Sequence, residues 1–310
     1  MVKDVMNLAV VNFHAVWGDK ECNLKRILEF SKAAGKRGAD MVVFPETALS
    51  GYGDDPATTV RAEKMHAKVA ETIPGPSTQA LAEVAKKYDM YIIIGMPEQD
   101  ADKPDVVYNS AAIIHPDGKF DSYRKTHLPF AEGNWSVRGD MPVLFDTPWG
   151  PVGVTICYDT YCFPELIRYY RAKGCRLVLN VTACPDVECT RTAAKLTIPA
   201  YVSTDYVFIA SSNLVGRDNP LYFHGGSCVV GPRMNERGAG EPYTYIGKMF
   251  DTPESDNVEM FLGTIDLHMA DVNTQIPIHS VNPGINEPDF RPEMYIRMHE
   301  DLLASGRWKK

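Results

Sequence analysis

The sequence predicts an α/β fold in one domain, with mixed strands covered by helices. Three observations lead there. The chain opens strand–helix–strand, with an apolar run at Val5–Phe13, helical spacing of Leu24, Ile27, Leu28 and Ala34 across Asp19–Gly38, and a second apolar run at Asp40–Phe44. Two later pairs of apolar runs flank tight turn signals and read as hairpins, which argues against a purely parallel sheet. No repeat, low-complexity stretch or linker divides the 310 residues, so they are read as a single domain with an extended tail from about residue 272.

The elements follow in order. Gly38 is placed to stop the first helix, and Pro45 turns the second strand into a loop. A helical stretch at about Pro56–Thr72 is closed by Pro74-Gly75-Pro76, after which Ser77 is expected to cap a helix running to about Tyr88. Met90–Met96 is apolar and β-branched, as a central strand should be. Val106–His115 and Lys119–Tyr123 flank Pro116-Asp117-Gly118, and Val143–Phe145 and Val152–Ile156 flank Thr147-Pro148-Trp149-Gly150. A helix at Phe163–Lys173, a strand at Leu177–Val181 and a helix at Thr190–Thr204 come next, then strands at Tyr206–Ser211, Ser227–Val230 and Met260–Asp266. The tail, with Pro277, Pro283, Pro288 and Pro292, is expected to wrap over the surface and end in a short helix.

Composition narrows the function. Hydrophobic residues make up 45% and charged residues 23%, ordinary for a globular chain long enough to bury a large core. The net charge of −8, without blocks of like charge, argues against nucleic acid or an anionic membrane as the main partner. The seven cysteines are an odd number without framework spacing, and the opening MVKDVMNLAV has no long apolar core or small-residue cleavage site. No run reaches the ~18 apolar residues of a membrane span. Reduced thiols in a cytoplasm are the expectation.

Three features share one position type, the end of an apolar strand. Glu46 follows Met41–Phe44, Lys125 follows the hairpin strand through Tyr123, and Cys157 follows Val152–Ile156. Strand ends project into loops on one rim of a sheet, where sites on α/β scaffolds are built. Carboxylate, ammonium and thiol together make chemical sense. A cysteine attacks as thiolate, which a nearby ammonium favours. Glu46 can take the thiol proton and return it to a departing amine. Lys125, with the backbone N–H of Tyr158, can stabilise a developing oxyanion. No cofactor or metal is required by this chemistry. Cys184 and Cys189, five apart, with His224 lack the spacing of a metal site.

The segments FPETALSGYG, YRKTHLP and GVTICYDTYCFPE resemble the three signature motifs of the nitrilase superfamily of carbon–nitrogen hydrolases, in its order and with its separations. The resemblance covers nearly the whole chain, to RPEMY at Arg291–Tyr295. It implies a four-layer αββα sandwich and a Glu46–Lys125–Cys157 triad, with Glu132 as a second glutamate orienting the lysine and the substrate. It implies a homo-oligomer, dimer or larger, and a small-molecule amide substrate. Trp135 is a candidate wall of the pocket. Tyr52, Tyr158 and Tyr161 are candidate aromatic rim, and Thr182 lies on a segment that lines the pocket in the family.

Cys-Tyr-Asp resembles the omega-amidase-like and general amidase branches rather than nitrilases, which carry Cys-Trp-Glu. The next stretch departs from the family. Thr160, Tyr161 and Cys162 precede Phe163-Pro164-Glu165, one residue more than usual and with no arginine. In carbamoyl-amino-acid hydrolases an arginine there pairs with the substrate carboxylate, which neither Tyr nor Thr can do. Arg168 and Arg217 are the candidate substitutes. The expected reaction is hydrolysis of a small amide through a cysteine acyl-enzyme. Hydrolysis of an N-carbamoyl amine or amino acid is the alternative, and a nitrilase or an acyltransferase with the same triad is a more remote one.

Overall fold

The computed structural model describes residues 2–234, 240–249, 257–272 and 291–306. The described chain runs β1 (Val5–Asn12), α1 (Lys20–Lys36), β2 (Met41–Val43), α2 (Met65–Val69), α3 (Pro76–Tyr88), β3 (Tyr91–Gln99), β4 (Val107–Ile114) and β5 (Phe120–Arg124). It continues through β6 (Val143–Thr147), β7 (Gly150–Ile156), α4 (Tyr158–Cys162), α5 (Pro164–Ala172), β8 (Leu177–Thr182), α6 (Glu188–Asp205) and β9 (Phe208–Asn213). A hairpin of β10 (Val215–Asp218) and β11 (Leu221–His224) leads to β12 (Cys228–Met234), β13 (Gly240–Gly247), β14 (Glu259–Asp266), α7 (Met269–Val272) and α8 (Pro292–Ala304).

Two six-stranded mixed sheets form, in the orders β14-β1-β2-β3-β4-β5 and β13-β12-β9-β8-β7-β6. Strand periodicity decides how they stack. Leu8 and Val10 of β1 face the second sheet and join Val152, Val154 and Ile156 in one core. Ala9 and Val11 face the other way and join Ile27 and Ala34 of α1 and Leu81 and Ala85 of α3. Ile167 of α5 and Ile198 and Val202 of α6 close the far side of the second sheet. The result is the expected four-layer αββα sandwich. Because both faces of the central strands are covered, β1 and β8 read as continuous apolar runs rather than alternating ones.

Several local expectations change. In place of a helix over Pro56–Thr72 there is only a 3-10 turn at Arg61–Glu63 and the short α2. Tertiary anchors override local propensity: Lys64 sits at φ −59, ψ 145, held by Asp54 (2.8 Å) and the Asp55 carbonyl (2.8 Å). Ser77 is not the cap of α3. The helix starts two residues earlier, with Gly75 as its cap, and Ser77 donates its N–H and hydroxyl to Glu71 at 2.7 and 2.9 Å. Strands β10, β11 and β13 were not anticipated. The proline-rich tail through Pro277, Pro283 and Pro288 lies outside the described residues, while α8 supplies the terminal helix. Among the described residues no helix is long and apolar enough to cross a membrane.

Candidate active site

Cys157 follows directly on β7, Lys125 directly on β5, and Glu46 lies three residues beyond β2. The packed sheets bring these strand ends together. Lys125 is fully buried, and its Nζ donates to Glu46 Oε1 at 2.7 Å and to Glu132 Oε1 at 2.6 Å. Asn109 of β4 bridges the same carboxylates, its Nδ2 donating to Glu46 Oε1 (2.7 Å) and Glu132 Oε2 (3.1 Å). The remaining Glu46 oxygen accepts the Ala183 N–H at 2.8 Å, just past β8. Tyr52 donates its hydroxyl to Glu132 Oε1 at 2.7 Å.

The turn carrying Glu46 exists because of a glycine on the neighbouring strand. Gly95 N–H donates to the Pro45 carbonyl at 3.0 Å, and a Cβ on Gly95 would stand 2.4 Å from Glu46 Cα and 2.4 Å from the Pro45 oxygen. These are backbone atoms, so the turn itself would have to move. Gly95→Ala is expected to lower kcat by about a hundredfold, since a displacement near 1 Å at a catalytic group costs about that much. Wild-type kcat in a folded Gly95→Ala variant would refute this reading of the turn.

Cys157 adopts φ 49, ψ −100, a strained conformation for a residue with a Cβ. Its N–H donates to the Val181 carbonyl (3.0 Å) and to Asn180 Oδ1 (3.2 Å), and its carbonyl accepts from the N–H groups of Thr160 and Tyr161. Such strain, about 1–3 kcal/mol, persists only where the surroundings fix it, and it holds the thiol out from the line of β7. Asp159 ties this turn to the lysine loop. Fully buried, it accepts from the Tyr123 hydroxyl (2.7 Å), the Thr126 hydroxyl (3.0 Å), the His127 N–H (3.0 Å) and His127 Nδ1 (2.8 Å).

Burial governs the electrostatics. It pushes the Cys157 thiol well above its ordinary value; Glu46 pushes the same way and Lys125 pulls back. For Lys125 burial opposes the charge, but Glu132 and Glu46 outweigh it and hold the ammonium firmly protonated. Burial pushes the Glu132 carboxyl up; Lys125 resists and Glu46 adds to the rise, to about 7. The cluster therefore sets a protonated thiol near an ammonium that is hydrogen-bonded to Glu46 and Glu132.

Of the expected site residues, Glu46, Lys125, Glu132 and Tyr52 form one hydrogen-bonded group, and Thr182, next to Cys157 in the strand register, accepts the Tyr161 hydroxyl at 3.3 Å. Tyr158, half-buried, opens α4 and meets Phe163 edge-on at 5.3 Å. Trp135 is 1% exposed and stacked on His66 at 4.0 Å, a packing position next to the Glu132 turn. Arg168 is held by Asp205 at 2.6 Å between α5 and α6. Sequence reasoning passed over Asn109 and Asn180, each a lone carboxamide in an apolar strand, which is the signal that could have found them. It also missed Asp218 at the end of β10, whose buried carboxylate accepts the N–H groups of Tyr52 and Gly53 and so braces the loop that reaches Glu132. Among the described residues no group of three or more His, Cys, Asp or Glu is gathered to hold a metal ion.

The chain is similar to several known proteins. The omega-amidase NIT2 of Bos taurus is 40% identical over 182 residues, 54% of this chain, and the match spans 61% of the bovine protein's length. The omega-amidase NIT2 of Mus musculus is 34% identical over 277 residues, covering 84% of this chain and 88% of the mouse protein. The Nit3 structure of Saccharomyces cerevisiae, a member of branch 10 of the nitrilase superfamily, superposes with a TM-score of 0.73 at 25% identity, covering 89% of this chain and 96% of that one. An amidase from Nesterenkonia sp. AN1, whose active-site cysteine carries a Michael adduct of acrylamide, shares the fold with a TM-score of 0.72 at 22% identity, covering 94% and 99%. Residues 7–236 match the sequence model of the carbon–nitrogen hydrolases, and with the sandwich fold and these relatives the chain belongs to that family.

Proposed function

We propose that the chain hydrolyses a small amide to its acid and ammonia through an acyl-enzyme on Cys157. The observation that carries this reading is the buried Glu46–Lys125–Glu132 cluster set against a strained cysteine at the end of β7. Glu46 takes the thiol proton as the sulfur attacks the amide carbon and the carbonyl electrons move to oxygen. The oxyanion meets the Lys125 ammonium and the Tyr158 N–H. The proton neutralises the Glu46 carboxylate while a negative charge appears on the substrate oxygen, so the net charge of the buried cluster is unchanged through the step.

Collapse of the tetrahedral species breaks the C–N bond, and Glu46 returns its proton to the leaving nitrogen. Water, giving a proton to Glu46, then attacks the thioester and frees the acid and the thiol. Glu132, held by Tyr52 and Asn109, keeps the lysine aimed. The amidase and omega-amidase relatives support an amide over a nitrile. Arg168 is occupied by Asp205, which favours an uncharged amide or carbamoyl amine over a substrate carboxylate bound on that helix. Seven free cysteines support a reducing, cytoplasmic setting, and the family resemblance supports a homo-oligomer.

The test is an ammonia-release screen over short aliphatic amides, ω-amides of dicarboxylates, carbamoyl amines, carbamoyl amino acids and matching nitriles, with Cys157→Ala as control. Release from an amide, absent in the variant, is expected. Release only from nitriles would overturn the substrate class. Ammonia released without free acid unless an amine acceptor is added would favour acyl transfer.

A further inference from the structure

The buried cluster leaves the sulfur with an unsolved electrostatic problem. Glu46 and Lys125 face Cys157, and the single ammonium is already held by both Glu46 and Glu132. A negative sulfur there needs a donor of its own.

The structure supplies one behind the nucleophile. Asn180 of β8 has its amide fixed at both ends. Its Oδ1 accepts from the Cys157 N–H (3.2 Å) and the Thr160 hydroxyl (2.8 Å). Its Nδ2 donates to the Ser211 hydroxyl (3.0 Å) and to the Tyr161 hydroxyl (3.0 Å). Tyr161 donates in turn to Thr182 Oγ1 at 3.3 Å. The register that pairs Ile156 with Val181 sets Thr182 beside Cys157, and with its oxygen already accepting from Tyr161, the Thr182 hydroxyl has its proton free for the sulfur. Asn180, Thr182 and Ser211 are at most 1% exposed and Tyr161 9%, so no water competes along this row of donors. Each bond polarises the next toward the sulfur. Tyr161 belongs to the stretch after the nucleophile that departs from the family pattern.

We propose that Thr182 is a further catalytic residue and Tyr161 its positioning residue: the Thr182 hydroxyl, aligned by Tyr161, donates to the Cys157 sulfur as Glu46 removes the thiol proton. The inference deepens the proposed function, but its test reads the thiol itself and needs no substrate. The thiol proton passes to the Glu46 carboxylate, the electron pair stays on sulfur, and Thr182 keeps its own proton throughout. The titratable groups that face the sulfur are Glu46, Lys125, Cys184, Tyr52 and Tyr161. Thr182→Val alters the charge of none of them.

The experiment is alkylation of the intact protein by iodoacetamide across pH, followed at the Cys157 peptide by mass spectrometry. Thr182→Val, Thr182→Ser and Tyr161→Phe are compared with wild type, and amide turnover is measured in parallel. A hydrogen bond to a charged sulfur is lost in Thr182→Val, so alkylation near neutral pH is expected to slow by about ten- to a hundredfold, with the profile moved to higher pH. Tyr161→Phe should move it the same way by less, and Thr182→Ser, which keeps the hydroxyl, should restore it. Where turnover is measurable, kcat falls and KM holds. Wild-type alkylation of Thr182→Val at every pH, or a change in KM alone, would overturn the proposal and leave Thr182 a substrate contact. A shifted alkylation profile in a protein that hydrolyses no amide would sustain it while sinking the amide reading.

Discussion

Replacing Lys125 with methionine is expected to damage both the fold and the activity. Methionine fills the same tunnel but leaves Glu46 and Glu132, both buried, sharing the Asn109 amide with no positive charge between them. Removing one partner of a buried ion pair costs about 3–5 kcal/mol, mostly from the stranded charge. The loss should depend on pH, with a sign that follows from burial. Without the ammonium Glu132 is pushed further above its unfolded value, so the variant binds protons more tightly folded than unfolded. Its stability is therefore greatest at acid pH and is lost as pH rises through the folded value. The wild-type Glu132, already raised to about 7 by burial, leans the same way. Urea unfolding at pH 5 and pH 8 should give a larger Lys125→Met deficit at pH 8. An equal deficit at both pH values, or one below about 1 kcal/mol, would contradict the network. Activity should fall by about a thousandfold or more, as when an oxyanion donor is removed.

The second large effect lies at the nucleophile. Cys157→Ala is expected to reduce turnover by about 10⁵-fold or more, the scale seen when a covalent nucleophile is deleted, while the protein stays folded. Cys157→Gly separates chemistry from strain. The backbone at φ 49, ψ −100 is uncomfortable for alanine and open to glycine. The glycine variant should thus be equally dead yet about 1 kcal/mol more stable than the alanine variant. Melting curves of the two would settle it. A glycine variant less stable than the alanine one would mean that the turn at Cys157 is not strained.

The legible parts of the molecule are those whose signal is local. Val152–Ile156 followed by Cys157 reads as a strand running into a functional turn, and it does so in β7. Asp19, at the start of the first helical pattern, caps α1 by accepting the Cys22 N–H. Glu132 sits where its separation from Lys125 put it, 2.6 Å from Nζ. The illegible parts depend on contacts distant in sequence. Helical propensity over Pro56–Thr72 lost to the Asp54–Lys64 pair and to Arg61, which donates to the Gly133 carbonyl at 2.7 Å. The β10–β11 hairpin carries too few apolar residues to announce itself, yet Phe223 packs edge-on against Tyr52 at 5.9 Å and Asp218 grips the same loop. Asn109 stands out in β4 as a lone carboxamide, but nothing local names its partners, two carboxylates 63 and 23 residues away. Motif spacing located the reacting groups, whereas the groups that orient them became visible only through the packing of two sheets.

The central claim is that Cys157 carries an acyl group during turnover. The most direct test mixes the protein with an amide it hydrolyses, quenches within the first turnover and reads both ammonia and the mass of the peptide containing Cys157. The account predicts a burst of ammonia matching the enzyme concentration and an acyl adduct on Cys157, with neither in Cys157→Ala. Steady turnover with no adduct, persisting in the alanine variant, would contradict it.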